Sequence, residues 1–341
     1  MTNDSKILLT GATGFIGAYL LRLLVKKGYR VRALRRGGSP MDLVRDVAEQ
    51  VEWVEADVTD LFALEEAFAG ITHVFHCAAM VSFHPKDVRR MMQVNVEGTA
   101  NMVNLAHDFG VKKFVHVSSI AALGRTKIRP NLDEKSKWVP GKGNSQYAVS
   151  KYLSEQEVWR AHAEGLPVAI VSPSVVLGSG FWNVGTGRIF RQVHDGLKFW
   201  SVGRTGMVDV RDVAQFMLLL AERDIVGERY ILNAQNIPFR DLFFMVADAL
   251  GKPRPFIKVT PALAEIAWRV EWLKEKLLGA EPVVTKESAR ASVASYFFEN
   301  AKSLTMPGFA YRPLELTVQQ TAVQFREAAL DGFSARVLPF G

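Results

Sequence analysis

Tyr147 and Lys151 stand four residues apart in a stretch whose pattern reads as helix, so a phenol and an ammonium share one helical face. Ser118 and Ser119 end an apolar run that reads as a strand, and Tyr147 follows 28 residues after Ser119. A phenol, an ammonium and a hydroxyl held together suit proton transfer at an oxygen atom. The phenol alone is a poor acid–base at neutral pH, because its pKa lies near 10. Moving it by about 3 units takes roughly 4 kcal/mol. One ammonium about 4 Å away, at an effective dielectric near 20, supplies on the order of 4 kcal/mol before desolvation. The spacing makes Tyr147 the candidate acid–base and Lys151 the charge that tunes it. Ser119 is then the donor that steadies a carbonyl oxygen. A YxxxK pair is weak by itself, since any surface helix can carry one; its place after the serine pair gives it weight.

A second set lies at the start of the chain. Gly11-Ala12-Thr13-Gly14-Phe15-Ile16-Gly17 spaces three glycines by threes between an apolar strand and a helix. The first glycine makes a tight turn, the second lets backbone approach phosphate, and the third lets the helix close on the strand. Phosphate would rest on the free N–H groups of the helix N-terminus. A dinucleotide with a reactive nicotinamide then completes the chemistry, with hydride moving beside Tyr147. At the end of the second strand stand Arg35 and Arg36, with no acid between them. Guanidinium matches a 2′-phosphate, whereas a carboxylate would repel it, so NADP(H) is expected over NAD. Asp57-Val58 follows the third strand, where Asp57 either accepts the adenine amino group or caps the next helix. Cys77-Ala78-Ala79 ends the fourth strand with small side chains that let a flat ligand lie close. Cys77 itself reads as a buried, inert thiol.

These residues need a scaffold that brings strand ends together. Strands are expected at Lys6–Leu9, Tyr29–Leu34, Val51–Val54, His73–Cys77, Lys113–Val117 and Val168–Val171. Helices are expected over Phe15–Lys27, Leu61–Phe68, about 88–109 and about 145–163, with Thr59 or Asp60 capping the second. A loop is expected over 124–144. Strands alternating with helices imply an α/β, Rossmann-type doubly wound parallel sheet with helices on both faces. Beyond Gly178 the alternation breaks down. A short strand is expected at 206–210, leading into a helix from about Asp212, with a further strand at 230–232, and from Phe239 the pattern is mostly helical. The expected division is a dinucleotide-binding domain over 1–178, with 206–235 returning to it, and a smaller substrate region from 179–205 and 236–341.

The ensemble resembles the extended short-chain dehydrogenase/reductase family of the NAD-dependent epimerase/dehydratase superfamily. The resemblance is carried by Thr10 to Gly17, Asp57-Val58, Asn95-Val96-Glu97-Gly98-Thr99, Ser118-Ser119 and Tyr147 to Lys151. Pro173 to Gly178 and Val210 to Ala214 continue it. It implies a catalytic triad of Ser119, Tyr147 and Lys151. It also implies an Asn95 that kinks a long helix and helps position the lysine, and cofactor contacts at Pro173 and Val176. Members often dimerise through two long helices, here 88–109 and 145–163, so a homodimer is an expectation. The best-fitting branch is that of dihydroflavonol reductases and 3β-hydroxysteroid dehydrogenase-like reductases, on Phe15-Ile16, Arg36, Ile120 to Gly124 and Ser172-Pro173-Ser174. A dehydratase would carry Asp-Glu after the catalytic hydroxyl, where this chain has Ile120-Ala121. A nucleotide-sugar epimerase with bound NAD is the alternative, with Arg188, Arg191 and Arg204 available for a diphosphate. A regulator that binds NADP without catalysis would lack the tyrosine.

Composition fits this reading. Of 341 residues, 48% are hydrophobic and 23% charged, as in a globular chain. The net charge is +7, but the basic residues are scattered and cluster only at Arg32, Arg35 and Arg36. A small anionic ligand accounts for that cluster better than nucleic acid does. The single cysteine and the polar start without an h-region lead us to expect a cytoplasmic protein. No apolar run reaches the roughly 18 residues a bilayer span needs. Phe181, Trp182, Phe190, Phe199 and Trp200 are candidates for an apolar substrate pocket, although aromatics are often core. The amphipathic stretch 262–278, with Trp268, Trp272, Lys274 and Lys276, reads as a helix packed on the substrate region, with a membrane surface as the alternative. The substrate is expected to be a bulky hydrophobic ketone, aldehyde or alcohol.

Overall fold

The computed structural model describes residues 1, 5–124, 131–141, 143–223, 225–279, 282 and 284–340. Strands β1 (Lys6–Thr10), β2 (Arg30–Arg35), β3 (Glu52–Glu55), β4 (His73–His76) and β5 (Lys113–Val117) alternate with helices α1 (Phe15–Lys26), α2 (Leu61–Phe68), α3 (Val88–Met92) and α4 (Gly98–Asp108). Next come β6 (Asn131–Leu132), α5 (Gln146–Ala163), β7 (Val168–Pro173), β8 (Val175–Leu177), α6 (Gly187–His194), β9 (Phe199–Ser201) and β10 (Arg204–Asp209). The chain ends with α7 (Val210–Glu222), β11 (Glu228–Leu232), β12 (Gln235–Pro238), α8 (Phe239–Leu250), β13 (Ile257–Val259), α9 (Pro261–Leu278), α10 (Lys286–Val293), β14 (Phe297–Phe298), α11 (Ala301–Leu304) and α12 (Leu314–Leu330).

Seven strands form one parallel sheet in the order β11-β7-β5-β4-β1-β2-β3. The fold is the doubly wound Rossmann type expected from the alternation. The reason lies in the strands themselves. β5 and β7 are buried along their whole length, as strands covered on both faces must be. One face packs under α1 and α7, through Leu20, Leu24, Phe216 and Leu220. The other packs under α2, α4 and α5, through Leu64, Met102, Val103 and Val158. The order reverses between β1 and β4, which opens a crevice at the carboxyl ends of those two strands.

Asp60 caps α2 by accepting from Ala63 N–H at 3.2 Å, and Ser145 caps α5 by accepting from Ala148 N–H at 3.1 Å. The helix expected over 88–109 is broken: α3 and α4 are joined by a π turn at Gln93–Glu97. The loop expected over 124–144 holds β6, which pairs in parallel with β14 far along the chain; residues 125–130 and 142 lie outside the described residues. Such pairing leaves no local trace in sequence.

The C-terminal part has its own core of Leu242, Val246, Val318 and Phe325, with Trp182 and Phe190 inside it. Trp182 meets Phe325 edge-on at 5.1 Å between ring centres. This corrects the expectation that Trp182 and Phe190 line a substrate pocket. Trp182 and Phe190 are core, Phe181 packs against the sheet core, and Phe199 and Trp200 lie on β9. Among the described residues no helix is long and apolar enough to cross a membrane.

Candidate active site

The glycine turn follows from backbone geometry. Gly11 has φ +67°, and a Cβ there would stand 2.8 Å from the Ala78 nitrogen. A Cβ on Gly17 would stand 2.1 Å from the Gly11 carbonyl oxygen, so any larger residue would push α1 off the turn. Gly14 N–H donates to the Gly11 carbonyl at 2.9 Å and closes the loop. Gly14 caps α1 with no side-chain bond, and the first turn has no acid. Those N–H groups therefore face the crevice uncapped, as an anion site needs. A dinucleotide fits this cradle by shape and by charge.

Two cavities run along the crevice. One, of about 370 Å³, is lined by Gly11, Thr13, Gly14, Arg35, Arg36 and Ser39, with Asp57, Val58, Cys77, Ala78 and Ala79 on its other walls. Arg35 and Arg36 thus stand at the end of β2 beside the glycine turn. Arg32, grouped with them in sequence, points elsewhere and pairs with Glu52 at 2.7 Å. Arg35 has a long contact with Glu55 at 3.9 Å. Asp57 does not cap α2. One carboxylate oxygen accepts from Thr59 N–H and O–H, at 3.0 and 2.8 Å, and the other from Arg90 at 2.7 Å. Burial would raise its pKa, but the Thr59 bonds and the Arg90 and Arg36 charges outweigh that and hold it below the usual range.

The second cavity, of about 730 Å³, shares Gly11, Gly14, Cys77 and Ala79 with the first and continues past Phe15 and Ile16 to Tyr147 and Lys151. Its far walls are Val81, Ser82, Phe83, His84 and Arg188, with Pro282, Thr285 and Ser288 opposite. Pro173 and Val176 line neither cavity; Pro173 pairs with Leu232 in the seven-stranded sheet, and Val176 with Val208 in a three-stranded sheet of order β12-β10-β8. Cys77 has its thiol pushed up to about 12 by burial, which leaves it protonated and inert.

Ser118 and Ser119 diverge at the end of β5. Ser118 Oγ donates to Glu155 Oε2 at 2.6 Å, inside the protein. Ser119 Oγ accepts from Ala121 N–H at 3.1 Å, and its hydroxyl hydrogen-bonds Tyr147. The Phe83 ring stands edge-on to Tyr147 at 6.0 Å. Burial raises the Tyr147 pKa, opposed only by the Ser119 bond. Lys151 is not among the causes. Its ammonium, almost fully buried, donates to the Val117 carbonyl at 2.8 Å. The lowering expected from Lys151 alone is absent here, because the ammonium is bound to the strand end rather than to the phenol. Burial also brings Lys151 itself down to about 8, partly offset by Glu155.

Asn95 sits in the π turn between α3 and α4. Its Oδ1 accepts from Met80 N–H at 2.7 Å, and its Nδ2 donates to the Met80 carbonyl and to Ser150 Oγ, both at 2.9 Å. Ser150 Oγ in turn donates to the Tyr147 carbonyl at 2.8 Å. Asn95 thus ties the loop after β4 to the helix of Tyr147 and Lys151. Its own carbonyl accepts from Thr99 O–H. Since Thr99 spends its proton there, His76 Nε2 must donate to it, and His76 Nδ1 accepts from Thr10 O–H at 2.8 Å. Burial pushes the His76 pKa down to about 3, so the ring is neutral, and the Thr99 bond sets which nitrogen carries its proton.

Glu155 carries no sequence signal, yet it is buried one turn beyond Lys151. It accepts from Ser118, from Trp159 at 3.1 Å and from Arg229 at 2.7 Å. Phe83 and His84 were equally silent, because the loop that carries them meets Tyr147 only in the folded chain. Arg188, Arg191 and Arg204 do not converge. Arg188 lines the cleft, Arg191 pairs with Asp195 and stacks on Phe333, and Arg204 lies over Phe297.

Known proteins resemble the chain along most of its length. A curated relative named "Putative dihydroflavonol 4-reductase", from Synechocystis sp., is 32% identical over 307 residues, covering 87% of each chain. Cinnamoyl-CoA reductase 1 of Oryza sativa subsp. japonica is 32% identical over 246 residues, 66% of this chain and 70% of its own. The crystal structure of gox2253 superposes with a TM-score of 0.81 at 34% identity, covering 95% of this chain and 98% of that one. The family model described as the NAD dependent epimerase/dehydratase family matches residues 7–233, and the chain belongs to that family.

Proposed function

We propose that the protein is an oxidoreductase that uses NADPH to reduce a ketone or aldehyde on a bulky hydrophobic molecule. The observation that carries the reading is the continuous crevice from Arg35 and Arg36, past the glycine turn, to Tyr147 and Lys151, with Ser119 bonded to Tyr147. The likeness to proteins named as reductases supports the reaction class. Bound at the turn, the cofactor would supply hydride from its nicotinamide. Arg35 and Arg36 would hold the 2′-phosphate as charge-assisted partners. Ser119 would donate to the substrate oxygen and stabilise its developing charge. Tyr147, kept protonated by burial, would give its proton to that oxygen, so the raised phenol favours the reductive direction. Lys151 would place a positive charge at the strand end below. Phe15, Ile16, Val81 and Phe83 give the cleft apolar walls that suit a hydrophobic substrate.

The divergence of Arg188, Arg191 and Arg204 weighs against a nucleotide-sugar epimerase, which would need to grip a diphosphate. The presence of Tyr147 and Lys151 weighs against a non-catalytic NADP-binding regulator. The test is NADPH consumption across steroids, flavonoids, aromatic aldehydes, 3-keto acids and UDP-sugars. Turnover of a hydrophobic carbonyl with preference for NADPH is expected. NAD retained through purification, with UDP-sugar turnover, would replace this reading by the epimerase.

A further inference from the structure

Helix α9 presents an apolar face to solvent. Thr260 caps it by accepting from Leu263 N–H, Pro261 opens it, and Gly279 ends it at φ +65°. Of its 18 residues only Ala264 is buried. Leu263, Ile266, Val270, Leu273 and Leu277 recur at spacings of three and four, and each is between 46% and 71% exposed. At about 100° per residue they fill an arc of about 80° on one side of the helix. A soluble helix normally turns such a stripe inward.

The charges on α9 are sorted around that stripe. Glu265, Glu271 and Glu275 all lie on the body side; Glu265 accepts from Arg290 at 2.9 Å and Glu275 from His84 at 2.7 Å. Arg269, Lys274 and Lys276 are exposed and stand at the two edges of the stripe, about 20° to 60° from its margins. Arg269 and Lys274 also touch Glu265 and Glu271, both at 2.8 Å, but exposed pairs of this kind hold weakly. Apolar residues outward, cations at the margins and acids turned away is the pattern of a helix lying in a lipid interface, its basic side chains reaching up to phosphate.

A second copy of the chain is the competing occupant, since the spacing also suits a helix–helix seam. Two arguments disfavour it. The positions flanking such a seam hold Arg269, Lys274 and Lys276, so two copies would set cation against cation. A helix about 27 Å long and 10 Å wide also buries on the order of 700 Å² against its twin, short of the roughly 1,000 Å² a stable interface needs.

We propose that the outward face of α9 docks the protein on an anionic lipid surface. The other side of the helix walls a cavity of about 690 Å³ between Trp268, Trp272 and His84, and His84, Pro282 and Thr285 also line the catalytic cleft. A bilayer-dissolved substrate would thus enter from the docked face; this route rests on the reductase reading, whereas the lipid contact does not.

The experiment is flotation of the full chain with vesicles of phosphatidylcholine, with and without phosphatidylglycerol, without substrate or cofactor. The wild type is expected to float with the anionic vesicles and to bind at least about tenfold less in high salt or without phosphatidylglycerol. Leu273→Glu with Leu277→Glu should weaken binding on the order of a hundredfold at unchanged melting temperature, since both sites are exposed. Ile266→Ser with Val270→Ser should do the same without adding charge. Wild type that stays off anionic vesicles, or variants that float like wild type, would overturn the proposal. So would a wild-type dimer that the glutamate pair converts to monomer, because the stripe would then belong to a second copy.

Discussion

Asn95 and Ser150 meet side chain to side chain, with Nδ2 donating to Oγ at 2.9 Å, and this bond joins the π turn to the helix of Tyr147 and Lys151. The same Asn95 amide holds both polar groups of Met80. Helix and loop thus share one buried clamp, and the loop leads directly to Phe83 beside the Tyr147 ring. π turns often occur at functional sites because they reorient a few residues inside an otherwise regular helix.

Asn95→Ala should therefore act on stability and on turnover together. Three hydrogen bonds are lost, one buried and two partly buried, and Met80 is left without side-chain partners, which costs about 2–3 kcal/mol. Thermal unfolding should show the loss, and kcat should fall with little change in cofactor affinity. Unchanged turnover in a destabilised protein would reduce Asn95 to a structural tie.

Tyr147→Phe tests the proton donor. The ring is kept, so its packing on Phe83 is kept, and only the hydroxyl bound to Ser119 is removed. NADPH-dependent reduction should drop by about 10²–10⁴-fold, while cofactor binding, read by fluorescence, stays close to wild type. A variant retaining most of its rate would move the acid role elsewhere.

The sheet was legible in sequence because each strand and helix declares itself over a few consecutive residues. The run from Lys6 through Gly17 carries its strand, its turn and its helix start in twelve residues. Tyr147 and Lys151 could be read for the same reason: their relation is one helical turn. What could not be read are relations between distant segments. Trp182 and Phe190 looked like pocket residues because their burial depends on Phe325, near the other end of the chain. Glu155 looked like any helical glutamate until Ser118 and Arg229 closed on it. The position of the Lys151 ammonium depends on the strand carbonyl it meets, which spacing alone does not give.

Cofactor choice should follow the two arginines at the end of β2. Arg35→Asp with Arg36→Ala removes both guanidinium groups from the cavity wall and adds a carboxylate able to bind a ribose hydroxyl. The ratio of kcat/KM for NADPH over NADH should fall roughly ten- to hundredfold, the worth of one or two charge-assisted bonds. An unchanged ratio would free the arginines from the 2′-phosphate.

Lys151 gives the last prediction, on pH. Its folded pKa, about 8, lies below the 10.5 of a free lysine, so the unfolded chain binds the proton more tightly. Folding then releases a proton between those two values, and stability rises with pH across that window. Read downward, stability is full above about 10.5 and is lost as pH falls through about 8. The cost at neutral pH is on the order of 3 kcal/mol. Lys151→Met removes the buried charge at similar length, and Glu155 remains paired with Arg229. The variant should therefore be more stable than wild type in denaturant at pH 7, and the gain should vanish toward pH 10.5. Reduction by the wild type should also weaken above about pH 8 as the ammonium is lost. A Met variant less stable than wild type at pH 7 would mean that the Val117 bond outweighs the burial of the charge.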